Sequence, residues 1–407
     1  MSGLAQSVLE QSASVKALSL EQVRDASSVW KELAAACPDA WFWHSWTNLQ
    51  FNFIAAQKYE AANLSFFVML NEKPVGIVPL MVNRARMGDT EGWEASYYGA
   101  PLPWPAFLDI PEVEALERFA FAELEARAKS RHVERIRLRL EPPMPSSHER
   151  QRLERAVREH NYLDSSYDSH FMEVEPDCLG RVRERYRRYV RKFGPVYHLS
   201  IAEGQAVTEE LVNDYFRLHV ADAGGQFRSR ESYSSQADLA REREAFFVVA
   251  RQQKTSRIVG MLLISVCKGS AYDNSVAVDP EFQEEYISHL LKWHAIEELL
   301  RRGVRGYELG PKADLPRFMA LPSQKSTGIS HFKEGWARDG VRKVAVAEKF
   351  LSARFLQAFM KQQADEVQKY FGVSWGCELL PCRKSTLGTN RWLIKFPRQN
   401  SCFRAFK

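Results

Sequence analysis

The run SAYDNSVAVD places polar side chains in the middle of an otherwise apolar strand, and it is the first place in this chain to look for chemistry. Alternation predicts Tyr272, Asn274 and Val276 on one face and Asp273, Ser275 and Ala277 on the other. Polar groups in a central strand are costly unless they are paired or bind something. Asp273 could accept a proton from an attacking amine and Asn274 could orient that amine. Hydrogen-bonded core polarity accounts for both equally well. Glu308, in GYELG, is a strand-end acid that reads as a base or amine anchor, or as a structural ion-pair partner.

The cations are unevenly placed. Residues 181–192 (RVRERYRRYVRK) carry seven basic side chains against one acid, Glu184, and residues 383–407 carry seven more with none. On a continuous helix Arg181, Arg185, Arg188 and Lys192 share one face, beside an apolar stripe of Tyr186, Val190 and Phe193. That face suits the phosphates of a tRNA or nucleotide, and also reads as an ordinary solvated face. Arg228 and Arg230 follow the pair Gly224-Gly225, where a mobile loop would present two forks able to bind phosphate or carboxylate. His219, His289 and His294 lie near these segments without metal-ligand spacing. Of the six cysteines, only Cys377 and Cys382 are near neighbours, and no second pair accompanies them. No metal and no cofactor are expected.

These residues need a scaffold. A chain of 407 residues, 45% hydrophobic and 12% aromatic, can bury two cores, and its net charge of +5 is modest. The longest apolar runs, such as Phe66–Leu70 and Ile77–Val82, are strand length, well short of the roughly 18 residues of a membrane span. The first residues lack the basic region and apolar block of a secretory signal. The expectation is a cytoplasmic, reduced protein with no integral membrane segment; its oligomeric state is not legible.

Apolar spacing predicts helices over 19–36, 111–131, 148–160, 178–193, 208–221 and 283–302. Between them RIRLRLE reads as a strand in which Ile136, Leu138 and Leu140 alternate with arginines. The stretch FFVMLNEKPVGIVPLMV is echoed by FFVVARQQKTSRIVGMLLISV, a strand crossing a polar turn into a strand that opens on VG. Two copies of a hairpin-plus-helix unit predict a tandem α/β architecture, each half a mixed twisted sheet flanked by helices. The expected division is 1–165 and 166–407.

The order of hairpin, strand, helix and strand resembles the GNAT fold, and in particular the Fem-type (FemABX-like) aminoacyl and peptidyl transferases and their CelD-like acyltransferase relatives. Three segments carry this: RERYRRYVRKFG, LLKWHAIEELLRRGVRGYELG and GISHFKEGWARDG. The resemblance implies an acyltransferase with tandem GNAT-like domains. It implies that Lys333 supports the tetrahedral intermediate or the leaving ribose, electrostatic work worth several kcal/mol in a dry site. Phe332 would pack beside it and Trp336 would follow in the substrate region. Acyl-CoA-using members hold pyrophosphate with a glycine-rich turn at a helix start. Here that turn is DPEFQEEYISH, with no glycine and with Glu281, Glu284 and Glu285. That turn argues against acyl-CoA, and the Fem-type resemblance then implies aminoacyl-tRNA as the expected donor and an amine of a peptidoglycan precursor or small metabolite as the expected acceptor. An acyl-CoA- or acyl-carrier-dependent N-acyltransferase and a non-catalytic RNA- or partner-binding scaffold are the alternatives.

Overall fold

The computed structural model describes residues 14–140, 147–313, 321–338 and 340–371. The Cys377/Cys382 pair and the basic run 383–407 lie outside them. In the first half, β1 (Val15–Ser19) pairs with β2 (Phe66–Leu70), and β2 with β3 (Lys73–Val78). Asn71 and Glu72 join the hairpin with φ of 49° and 64°, the two left-handed residues that match strand twist. Pro79 then interrupts the ladder, since it has no N–H to donate. The next strand, β4 (Met81–Met87), accordingly belongs to a different sheet with β5 (Thr90–Ala95) and β6 (Val133–Arg139). Helix α3 joins the parallel pair β5 and β6 (α1 is Ala26–Ala36, α2 Trp46–Ala56, α3 Val113–Ser130).

The helix expected over 19–36 is shorter. Leu18 pairs with Phe67 in the sheet, and Gln22 accepts the Ser19 N–H at 2.7 Å to close a tight turn; α1 starts only at Ala26. After α4 (Ser147–His160) the second half forms one sheet in the order β8-β9-β10-β11-β12-β7-β13. Its strands are β7 (Tyr167–Glu173), β8 (Tyr197–Ala202), β9 (Ala245–Gln252), β10 (Ile258–Cys267), β11 (Ser270–Val278), β12 (Gly306–Pro311) and β13 (Val341–Val344). Here the hairpin's second strand, β10, runs unbroken for ten residues, so the internal echo holds at the turn and diverges after it. The helices are α5 (Glu184–Phe193), α6 (Glu209–Asp222), α7 (Arg230–Arg241), α8 (Ile287–Arg301) and α9 (Gln324–Ala337). Helix α8 buries Leu290, Leu291, Ile296 and Leu299 against the sheet, about 1.5–3 kcal/mol for each such side chain.

The division at 165 does not run linearly to the end. Strand β14 (Val346–Phe350) returns to the first half, pairing with β6 from Val346↔Arg139 to Phe350↔Arg135. Helix α10 (Ala353–Phe371) follows it, and Phe355 and Phe359 pack with Met87. The crossing is short because the two sheets meet there: only Ala345 separates β13 from β14, and its carbonyl accepts the Leu140 N–H at 3.0 Å. No described helix is long and apolar enough to cross a membrane.

Candidate functional site

The polar strand β11 departs from alternation. Leu263 faces Ser275 but Ile264 faces Asp273, so Asn274 is the extra residue of a bulge. The bulge turns Asp273 and Ser275, expected on one face, to opposite sides. Asp273 points to α8, while Ser275 Oγ lies 2.9 Å from His219 Nε2 on α6. Burial, then the Arg228 charge, pushes the His219 imidazole down to about 4. Beyond Tyr272 and Glu308 the parallel pairing of β11 with β12 stops, although both strands continue, to Val278 and Pro311. Tyr272 through Ser275 are half-buried there and Val276 is exposed.

Asn274 donates to Ser265 Oγ at 2.9 Å and accepts from Gln236 at 3.0 Å. Gln236 in turn accepts from Tyr215 and from Arg228, at 3.0 and 2.8 Å. The Arg228 guanidinium lies over the rings of Tyr233 and of Phe51 in the first half, with no carboxylate in ion-pair range among the described residues. Arg230, by contrast, is engaged by Asn213 and Glu209.

On the other side, the fully buried Lys292 of α8 donates to Asp273 Oδ2 and, at 2.9 Å, to Tyr307 Oη. The second carboxylate oxygen, Asp273 Oδ1, is buried with no hydrogen-bond partner. Sequence reasoning passed over Lys292. The available signal was a lysine three and seven residues before Ala295 and Leu299, on the apolar stripe of its helix.

Glu308 is fully buried, and its place favours the structural reading. Arg139 of β6 reaches it from the first half at 2.7 Å and Ser169 donates to it at 2.8 Å. In RIRLRLE the arginines alternate with Ile136, Leu138 and Leu140, and the structure buries Arg135 and Arg139 along with them. Arg135 is met by Glu94 and Glu348, so each charge enters the interior with a counter-ion.

Lys333 sits on α9, whose first turn is capped by Ser323 accepting the Ser326 N–H at 3.1 Å. Its ammonium rests on Gly310, where an added Cβ would lie 2.7 Å from Nζ. Burial, together with Lys292, pulls its pKa below the usual lysine range, against the opposing pull of Asp273 and Glu308. Among the described residues Nζ has no hydrogen-bond or ion-pair partner. Arg139, Lys292 and Lys333 thus share a small volume with Asp273 and Glu308. Two pairs close, and the remaining positive charge stands on Lys333.

Aromatic side chains wall the site. Tyr272 stacks on Phe42 at 5.2 Å and meets Trp41 and Trp43 edge-on at 6.1 and 5.2 Å, all three from the first half. Phe332 lies half-buried beside His289, with ring centroids 5.0 Å apart. Trp336, expected near substrate, is 1% exposed and belongs to the second core.

The basic helix breaks at Val182, whose ψ of 142° ends a single turn, Cys178–Arg181, before α5 begins. Arg181 therefore leaves the expected face and pairs with Glu175 and Asp177. Glu184 is engaged by Arg187 and Arg191, so Arg185, Arg188 and Lys192 remain exposed with no acidic partner among the described residues. The inner side of α5 presses Tyr186 onto Gly335, which has no Cβ to obstruct the ring, and stacks Tyr189 on Tyr286 at 3.7 Å and 9°. Tyr286 is the residue just before α8, so the stacked rings lie beside the start of that helix. Just before it, Glu285 accepts from Tyr197, while Asp279 and Glu281 are bound by Arg257.

Residues 180–334 match the family described as acetyltransferase (GNAT) domain. The chain's fold is similar to that of FemX, with TM-score 0.58 at 10% identity, over 82% of this chain and 98% of that one. A tandem GNAT protein from the clavulanic acid biosynthesis pathway gives TM-score 0.48 at 13% identity, over 84% and 99%. L-PGS from Bacillus licheniformis gives 0.45 at 13%, over 70% and 85%. No curated protein matches the chain significantly.

Proposed function

We infer that this chain, a GNAT-superfamily acyltransferase with the FemX fold, moves an aminoacyl group from aminoacyl-tRNA to an amine of a small metabolite or peptidoglycan precursor. The observation that carries the reading is the half-buried ammonium of Lys333, unpaired among the described residues and close to Asp273 where the pairing of β11 with β12 ends. The amine attacks the ester carbonyl and a C–N bond forms. The negative charge that develops on the carbonyl oxygen meets Lys333, where a fixed cation in a dry site stabilises it strongly. The ester C–O bond then breaks. The proton given up by the amine passes to Asp273 and leaves with the ribose hydroxyl, so charge balances over the cycle.

Two features favour tRNA over acyl-CoA as donor. Carboxylates stand where a pyrophosphate would need amides, Asp279 and Glu281 already occupy the nearby Arg257, and the stacked rings of Tyr189 and Tyr286 lie beside the helix start. The exposed Arg185, Arg188 and Lys192 lie on the outer side of the same helix α5 whose inner side packs Tyr186 against Phe332, next to Lys333. A phosphate backbone laid on that face would end near the site. The test compares donors on the intact chain. Charged tRNA should bind with a steep salt dependence and acylate an amine, whereas acetyl-CoA should not raise the melting temperature, as a specific ligand would by mass action. Replacing Arg185, Arg188 and Lys192 together by Glu should weaken tRNA binding and flatten its salt dependence without unfolding the protein. A clear thermal shift at micromolar acetyl-CoA would transfer the reading to an acyl-CoA enzyme, and unchanged RNA affinity in the triple variant would return the helix to a solvated face.

A further inference from the structure

Lys292 is fully buried, an unusual place for a lysine, and nothing in the reaction as described needs it. A buried ammonium is retained only with compensation. Its two hydrogen bonds here, to Asp273 Oδ2 and Tyr307 Oη, draw Asp273 toward α8. The result is asymmetric. One carboxylate oxygen is held, and the other, Oδ1, is buried and has no partner. An unsatisfied buried acceptor is rare enough to need a reason, and a site awaiting a donor supplies one.

We propose that Lys292 is a positioning residue, holding the Asp273 carboxylate in an orientation whose free Oδ1 takes the proton of the acceptor amine. This rests on the aminoacyl-transfer reading. The bulge at Asn274 is what makes the pairing possible, because it turns Asp273 toward α8 instead of leaving it beside Ser275. The charged and titratable groups facing Asp273 are Lys292 from α8, Lys333 from α9, Tyr307 and Glu308 from β12, and its own neighbour Tyr272. Glu308 is engaged by Arg139, and Lys333 lies toward Gly310 without a hydrogen bond to any described residue. Among the described residues, that leaves Lys292 as the one cation in hydrogen-bond contact with Asp273. The proton balance is simple: Asp273 accepts one proton as the C–N bond forms and returns it to the leaving ribose oxygen. Lys292 keeps its own throughout.

The test is Lys292→Met in the full chain, followed by kinetics and by titration of the Asp273 carboxyl in 13C-aspartate-labelled protein. In Lys292→Met, kcat with charged tRNA falls roughly a hundredfold, the scale of one lost acid–base contribution. The acid limb of the kcat/KM profile and the carboxyl titration both move up, because a buried carboxylate without its cation takes up a proton more readily. Lys292→Met combined with Asp273→Asn relieves the unpaired charge and keeps the fold. If Lys292 acts only through Asp273, the double variant is no slower than Asp273→Asn alone. Additive losses, or a carboxyl titration that stays in place, overturn the proposal and leave Lys292 a core support. A titration that moves in a protein that turns over no aminoacyl-tRNA overturns the donor reading while the Lys292–Asp273 coupling stands.

Discussion

Gly310→Ala is a probe of where the Lys333 ammonium must be. Gly310 has φ of +98°, a conformation that L side chains rarely adopt, and its missing Cβ leaves the space Lys333 Nζ occupies. A built Cβ would stand 2.7 Å from Nζ, whereas ordinary contact begins at 3.4 Å, so the ammonium must retreat by about 0.7 Å. The end of a lysine moves easily, so this contact adds little energy. The backbone strain costs more, about 1–2 kcal/mol for a left-handed alanine. Stability should therefore drop modestly and the chain should stay folded. Turnover should respond more strongly, because displacements near 1 Å can cost on the order of a hundredfold when geometry carries the catalysis. The assay is steady-state transfer of a labelled aminoacyl group by Gly310→Ala, by Lys333→Met and by the two combined, with melting curves alongside. A combined variant no slower than Lys333→Met shows that both act through one cation. A Gly310→Ala enzyme with undiminished kcat and a normal melting curve would refute the idea that the ammonium's place matters.

Lys333→Met itself should lower kcat roughly a hundredfold with little change in KM, since the lost interaction belongs to the transition state. The same residue sets a pH dependence: it works protonated and burial lowers its pKa, so wild-type kcat should decline as pH rises through a value below the ordinary 10.5, and Lys333→Met should lack that limb. Arg139→Met should destabilise the fold by about 3–5 kcal/mol in denaturant unfolding, because it leaves Glu308 buried without its cation. Adding Glu308→Gln should recover most of that loss; a second loss of similar size would show that the two do not form one unit.

Local pattern was enough for much of this protein. The hairpin's polar turn, the helix expected over 283–302 and the tandem order of elements are written in short-range periodicity and turn chemistry, which a single chain displays directly. Lys333 and Phe332 came from a motif only a few residues long. The basic run was visible in composition, but its break at Val182, which removes Arg181 from the face, depends on backbone geometry that charge spacing does not report.

What only the tertiary structure decided is which distant groups meet. A bulge shifts register by one residue and so reverses the side to which Asp273 points, yet no residue type in YDNSV announces it. Pairing sets the meaning of a charge. Arg139 reads as an arginine of an alternating strand until Glu308, 169 positions away, is brought against it. Strand β14 reads as the end of the second half until it joins β6 in the first. Lys292 reads as one more helix lysine until Asp273 and Tyr307 close on it. Periodicity is a property of neighbours in sequence, and the cost of a buried charge is a property of neighbours in space; the site lies where the second overrides the first.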